Sequence, residues 1–148
     1  MGFPNLNLPL VEFKTKLVRG DMQVFDPVRK KYFLLTSEEW VRQHFISYLN
    51  KYKNYPLGLM RVEQMIKYNK LRTRADIVLY NNEGIPTMII ECKSPTVKIS
   101  QDTFYQIARY NSKLRVKYLV LTNGLQHFCC EINYDNNDVL FLDNIPAY

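Results

Sequence analysis

What the chain lacks narrows it first. Among its 148 residues no apolar run reaches the ~18 to 20 residues that a bilayer-spanning helix needs. Residues 1–10 carry two prolines and no basic segment ahead of an apolar stretch, so no secretory leader is expected and the location expected is cytoplasmic, away from membranes. Cysteine is scarce, at three residues, and Cys129 and Cys130 are adjacent. Neighbours on a strand point to opposite faces, so these two could not close around one zinc ion, and neither a disulfide framework nor a zinc ribbon is supported. There is no G-x-x-x-x-G-K-[ST] phosphate loop, which excludes ATP-driven translocation within these residues. Repeats, low-complexity tracts and linkers are absent too.

What remains is an ordinary globular composition. Hydrophobic residues make up 47% and charged residues 23%, and the 11 Tyr, 8 Phe and single Trp supply rings that disordered chains lack. The net charge of +6 is regional: residues 1–75 hold 14 bases and 6 acids, whereas residues 76–148 hold 6 bases and 8 acids. A basic half attracts polyanions, although solvated lysines serve solubility equally well. The pattern reads as an N-terminal arm over residues 1–35 and one α/β domain over 36–148.

In the arm, Phe13 to Val18 and Tyr32 to Leu35 read as strands of a hairpin, with the basic cluster Arg29, Lys30 and Lys31 just before the second. Thr36 followed by Glu39 forms a capping box, after which Trp40, Val41, His44, Phe45, Tyr48, Leu49 and Tyr52 make one apolar helix face, ended by Asn54, Pro56 and Gly58. Three strand-like runs follow, Leu59 to Ile66, Ala75 to Tyr80 and Thr87 to Cys92, separated by the polar turn Asn69 to Thr73 and by Asn81 to Gly84. A second helix is expected from about Gln101 to Leu114, then a buried strand Lys117 to Thr122, an Asn123-Gly124 hairpin turn, and a C-terminal β hairpin from Gln126 to Ile132 and Val139 to Leu142.

Three charges stand out. Glu91 and Lys93 share a strand face, while Cys92 points the other way. A hairpin centred on Glu83-Gly84 pairs residues whose numbers sum to 167, which sets Asp76 opposite Glu91. Opposed β-carbons lie ~4.5 to 5.5 Å apart, a separation at which two carboxylates can chelate one hard divalent cation such as Mg²⁺. A partly buried ion-pair cluster without chemistry is the plain alternative.

The D-x(14)-E-x-K spacing across a hairpin resembles the PD-(D/E)XK nuclease motif, with Ala75 where the motif name has Pro, a position that ligates nothing. On the second helix Gln106 and Tyr110, at i and i+4, are similar to the Q-x-x-x-Y element of RecB-like nucleases. Taken in order, Glu38 to Gln43, Arg74 to Val78, Ile90 to Pro95, Gln106 to Tyr110 and Leu121 to Gly124 resemble the N-terminal nuclease domain of type I restriction enzyme R subunits over roughly residues 30–145. R subunits continue into a helicase-type motor, and this sequence ends at Tyr148 without one.

The resemblance implies a restriction-endonuclease-like αβββαβ core, a mixed sheet flanked by helices, and a Mg²⁺-dependent deoxyribonuclease, with Mn²⁺ as substitute. It implies that Asp76 and Glu91 hold the metal, that Lys93 orients the attacking water or stabilises developing charge, and that Gln106 and Tyr110 position the water, the lysine or the phosphate. Glu39 is explained either by its capping box or by an approach to the metal, and Glu63 is a further supporting candidate. Lys67, Lys70, Arg72 and Arg74, around the turn before Asp76, and the Arg29 to Lys31 cluster are candidate contacts to DNA. Expected partners are DNA and a separate motor or specificity subunit, and self-association is compatible with the sequence. The alternative is a catalytically idle nuclease fold that binds nucleic acid or docks onto that motor. His44 reads as a packed core residue, and His127 carries no assigned role.

Overall fold

The computed structural model describes residues 2–148, so Met1 of the expected arm lies outside the described residues. The arm folds as a three-stranded antiparallel sheet, β1 (Thr15–Val18), β2 (Asp21–Asp26) and β3 (Lys31–Leu34), in the order β1-β2-β3. This corrects the expected hairpin: β2 lies between the two anticipated strands and pairs with both, Thr15 opposite Val24 and Val24 opposite Phe33. Arg19 and Gly20, both at positive φ, make the two-residue turn from β1 to β2 that matches the twist of paired strands.

Helix α1 (Ser37–Tyr52) begins where Thr36 Oγ1 accepts from the Glu39 amide at 3.0 Å. Val41, Phe45 and Leu49 face the main sheet. Glu39, Arg42 and Gln43 are buried as well, and Gln43 Nε2 donates to Asp26 Oδ2 at 2.9 Å. The single apolar face expected is therefore half the account, because the small sheet covers the polar side of α1.

The main sheet runs β4 (Met60–Tyr68), β5 (Leu71–Tyr80), β6 (Pro86–Cys92), β7 (Tyr118–Thr122), β8 (His127–Asn133) and β9 (Asp138–Leu142), in that spatial order. Every pairing is antiparallel except β6 with β7, which is joined through helix α2 (Gln101–Asn111) and a 3-10 turn over Ser112–Leu114. The protein is thus mixed α/β, and the expected C-terminal hairpin, β8 with β9, is formed and extends the main sheet. Two expected turns change length. The Asn69 to Thr73 turn shrinks to Asn69 and Lys70, and Asn123-Gly124 opens a four-residue loop in which Asn123 Oδ1 accepts from the Leu125 and Gln126 amides.

The sheet separates two apolar layers. Phe45, Leu49, Met60, Ile77, Met88 and Ile90 fill the α1 side, and Val78, Ile89, Phe104, Ala108, Leu119 and Leu121 the α2 side. Cys129 falls in the first layer and Cys130 in the second, and all three cysteines are free and buried. Among the described residues no helix is long and apolar enough to cross a membrane.

Residues ahead of β1 are tied to the β7–β8 loop. The Asn7 amide donates to Gly124 O at 2.8 Å, and a Cβ at Gly124, where φ is +85°, would meet Leu6 Cδ2 at 2.8 Å. His127 Nε2 lies 2.9 Å from Asn7 O and its Nδ1 lies 2.7 Å from Thr122 Oγ1. A carbonyl only accepts, so Nε2 carries the proton and Nδ1 accepts from the threonine hydroxyl. Burial holds the His127 pKa below the usual histidine value, and that of His44 likewise. The unfolded chain then binds protons that the folded one refuses, so this contribution to stability is full above the unfolded histidine pKa and falls as pH drops below it. His127→Gln should weaken the loss of melting temperature between pH 7 and pH 5. An unchanged pH slope would show that His127 does not contribute to it.

Candidate functional site

Strands β5 and β6 pair Ile77 with Ile90, Val78 with Ile89 and Leu79 with Met88, the register expected from the sequence. Beyond Leu79 the register shifts by one, Tyr80 pairing with Pro86, so that Thr87 of β6 is the extra residue of a bulge. The next row brings Asp76 to the end of β6. There Asp76 Oδ2 accepts from the Cys92 amide, between Glu91 and Lys93, at 2.8 Å.

Asp76 sits where the alternation of β5 breaks. Ile77 and Leu79 enter the α1 layer, yet Ala75 joins Val78 in the α2 layer. On β4 the matching row holds Glu63 at φ 57°, in the left-handed region, between the pairs Val62 with Ile77 and Gln64 with Ala75. This backbone departure at a row of two carboxylates marks a built feature. Burial, opposed by the Cys92 amide and Arg42, pushes the Asp76 carboxyl up to about 6, with Glu38 and Glu91 adding to the rise. Glu91 Oε1 and Lys93 Nζ form an ion pair at 3.1 Å with side chains 37% and 39% exposed. Burial pulls the Lys93 pKa down, but the Glu91 hydrogen bond and the charges of Glu91 and Asp76 outweigh it, so Lys93 is raised and remains a cation.

Arg42, which the sequence reading passed over, occupies the centre of the acidic group. Its Nη2 lies 2.8 Å from Glu63 Oε1, 3.1 Å from Asp76 Oδ1 and 3.7 Å from Glu38 Oε1, and its Nη1 lies 3.3 Å from Glu39 Oε1. The available signal was spacing: Arg42 stands at i+4 from Glu38 and i+3 from Glu39 on one helix. Glu39 also accepts from Arg29 Nη2 and Gln43 Nε2. The capping box is therefore half formed, because the Glu39 carboxylate turns into this network and the Thr36 amide donates to Leu34 O. Glu63 Oε2 accepts from Arg74 at 3.0 Å; burial raises the Glu63 pKa, but Arg74 and Arg42 together leave it lowered.

Other candidates lie further out. Phe104, Ala108 and Asn111 are the buried side of α2, whereas Gln106 and Tyr110 are exposed, Tyr110 at 53%. Among the described residues no hydrogen bond joins either to Asp76, Glu91 or Lys93. Arg29 is engaged within the protein, paired with Asp26 at 2.7 Å and Glu39 at 2.9 Å and stacked 3.4 Å over the Phe33 ring. Lys30 and Lys31 remain exposed. Lys67, Arg72 and Arg74 lie on strands rather than in a turn, with Lys70 at the hairpin tip. Lys67 faces Arg72 across the ladder on the outer side, next to Arg74, while Ile66 and Ala75 on the inner side are buried. An apolar cleft of about 270 Å³ between the arm and α1 has Glu12 on its lining but touches neither Asp76, Glu91 nor the carboxylates paired with Arg42.

Among the described residues no three His, Cys, Asp or Glu side chains stand together as a ready metal cage. The Asp76 and Glu91 carboxylates are nonetheless hard oxygen donors on adjacent strands, suited to Mg²⁺ with waters completing its shell. Around Arg42, the five carboxylates of Asp26, Glu38, Glu39, Glu63 and Asp76 face the three guanidiniums of Arg29, Arg42 and Arg74, an excess of negative charge that fits a divalent cation.

Comparison with known proteins agrees with the fold. Residues 37–146 match the family model described as type I restriction enzyme R protein N terminus. A solved fragment described as an HsdR subunit of a type I restriction enzyme from Vibrio vulnificus YJ016 superposes with a TM-score of 0.52 at 20% identity, over 76% of this chain and 24% of that one. No curated protein matches the sequence.

Proposed function

Because the chain belongs to the family of type I restriction enzyme R protein N-termini, we propose that it is a nuclease module with a restriction-endonuclease-like αβββαβ core, hydrolysing DNA phosphodiester bonds with Mg²⁺. The observation that carries this reading is Asp76 anchored on the amide between Glu91 and Lys93. Asp76 and Glu91 would hold the ion, with Mn²⁺ as substitute, and the ion would supply Lewis-acid activation of water and phosphate. The Cys92 amide fixes the Asp76 carboxylate. Lys93, cationic and half-exposed, is placed to neutralise charge that grows on the phosphate as the water oxygen bonds to phosphorus and the ester oxygen departs. Gln106 and Tyr110, on the open side of α2, are assigned to the incoming strand rather than to the ion.

The outer face of the β4–β5 hairpin is assigned to the DNA backbone, since like charges directly opposite on a ladder are destabilising unless an anion lies over them. Each phosphate neutralised contributes a log-log salt slope of about −0.9 on duplex DNA. A Lys67→Ala, Arg72→Ala double variant should therefore flatten the salt dependence of DNA affinity by about 1.8. A slope equal to wild type would remove this face from the interface.

Cleavage of supercoiled plasmid with Mg²⁺ or Mn²⁺ tests the central reading, with wild type active and Asp76→Ala inactive. A second reading, a catalytically idle module docking onto a separate motor or specificity subunit, is favoured by Asp76 and Glu91 each already holding a protein cation. Wild type that binds DNA but cuts it with neither metal would establish that alternative.

A further inference from the structure

We propose that Arg42 is the resident counter-ion of the acidic centre: its guanidinium occupies the Asp76 oxygen that a divalent cation takes, and the metal enters by displacing it. The inference rests on Asp76 and Glu91 as the metal-holding pair.

Three features of the contact geometry carry it. First, of the two contacts through Nη2 that to Asp76 is the longer, 3.1 Å against 2.8 Å to Glu63, so the guanidinium can leave Asp76 and keep Glu63. Second, Asp76 does not depend on Arg42 for its position, because its other oxygen is fixed by the Cys92 amide at 2.8 Å. Removing the arginine therefore removes a competitor more than a support. Third, the Nε of this buried arginine has no hydrogen-bond partner. An unpaired buried donor calls for an explanation, and a second position of the guanidinium in the metal-bound protein supplies one. Arg42 is thus a positioning residue that keeps the carboxylates together in the metal-free protein, where they would otherwise repel.

Two roles predict opposite results. A purely structural arginine would leave the metal site looser on removal and weaken binding. A competing counter-ion would strengthen it, by about tenfold or more for a unit charge a few ångströms away in a partly buried site. Calorimetric titration of the full chain with Mn²⁺ reads the difference directly. Arg42→Gln, checked for folding by circular dichroism, should bind Mn²⁺ at least about tenfold more tightly than wild type, while Arg42→Lys, which keeps the charge, should stay near wild type. A folded Arg42→Gln protein with equal or weaker affinity overturns the proposal.

Should that variant not fold, wild type decides. On titration with Mg²⁺ the Arg42 Nε–H resonance should shift in step with saturation while that of Arg29 stays in place, and an Arg42 signal unmoved at saturating Mg²⁺ overturns the proposal equally. If wild type binds and Arg42→Gln gains nothing, only the counter-ion role falls. If neither binds a divalent cation, the metal-dependent function falls and takes the counter-ion role with it.

Discussion

Lys93→Ala should lower Mg²⁺-dependent DNA cleavage by about 10² to 10³ in a single-turnover assay, the loss typical of removing one group that stabilises transition-state charge. Metal and DNA affinity should change little, because the lost interaction strengthens only as charge develops on the phosphate. The 3.1 Å ion pair with Glu91 holds the ammonium half-exposed, and the charges of Glu91 and Asp76 keep it protonated. If Lys93 only neutralises the two acids, the variant should instead melt lower without metal and recover with it, and cleavage should survive. Rate and melting temperature, measured with and without Mg²⁺, separate the two outcomes.

The second large effect is on stability. Asp26 is fully buried and accepts from four donors: the Val28 amide at 2.7 Å, the Arg29 amide at 2.9 Å, Arg29 Nε at 2.7 Å and Gln43 Nε2 at 2.9 Å. Asp26→Ala leaves all four facing a void, and loss of one partner of a buried charge pair costs about 3 to 5 kcal/mol. Asp26→Asn keeps the shape and one acceptor and should cost less. Urea denaturation measures both, and an alanine variant within about 1 kcal/mol of wild type, the size of an ordinary substitution, would show that the network is not cooperative. Arg29 and Gln43 pass from Asp26 to Glu39, and Glu39 to Arg42. The arm is therefore wired to the acidic centre through side chains alone.

That wiring is what the sequence concealed. The β5–β6 register was legible because alternation and the Asn81 to Gly84 turn fix it locally, and with it the neighbourhood of Asp76 and Glu91. Strand β2 was not, since acids at both its ends look like loop residues and its one fully buried apolar residue is Val24. Arg42 and Gln43 fall on the helix face that looks polar, and polar residues are read as solvated unless a partner is known. Their partners stand 34 and 17 positions away, at Asp76 and Asp26. No local period encodes a pairing across that distance. Gln106 and Tyr110 show a different limit: a spacing of four places two residues on one helix face without saying which face the sheet covers.

The lone parallel pairing in the sheet bears on the order in which the protein assembles. Every other strand meets a neighbour in sequence across a short loop, whereas β6 waits for β7 to return beyond α2, and the entropy of closing that longer loop falls on this one step. The Lys93 amide donates to Thr122 O at 2.8 Å, at the end of the parallel ladder. Asp76 can be anchored on Cys92 as soon as the β5–β6 hairpin closes, but Lys93 acquires its backbone partner only when β7 arrives, a sequence that pulsed hydrogen exchange at the Lys93 amide during refolding would record. Glu91 too has its strand partner on β7, at Leu121, so the complete constellation is a property of the finished sheet.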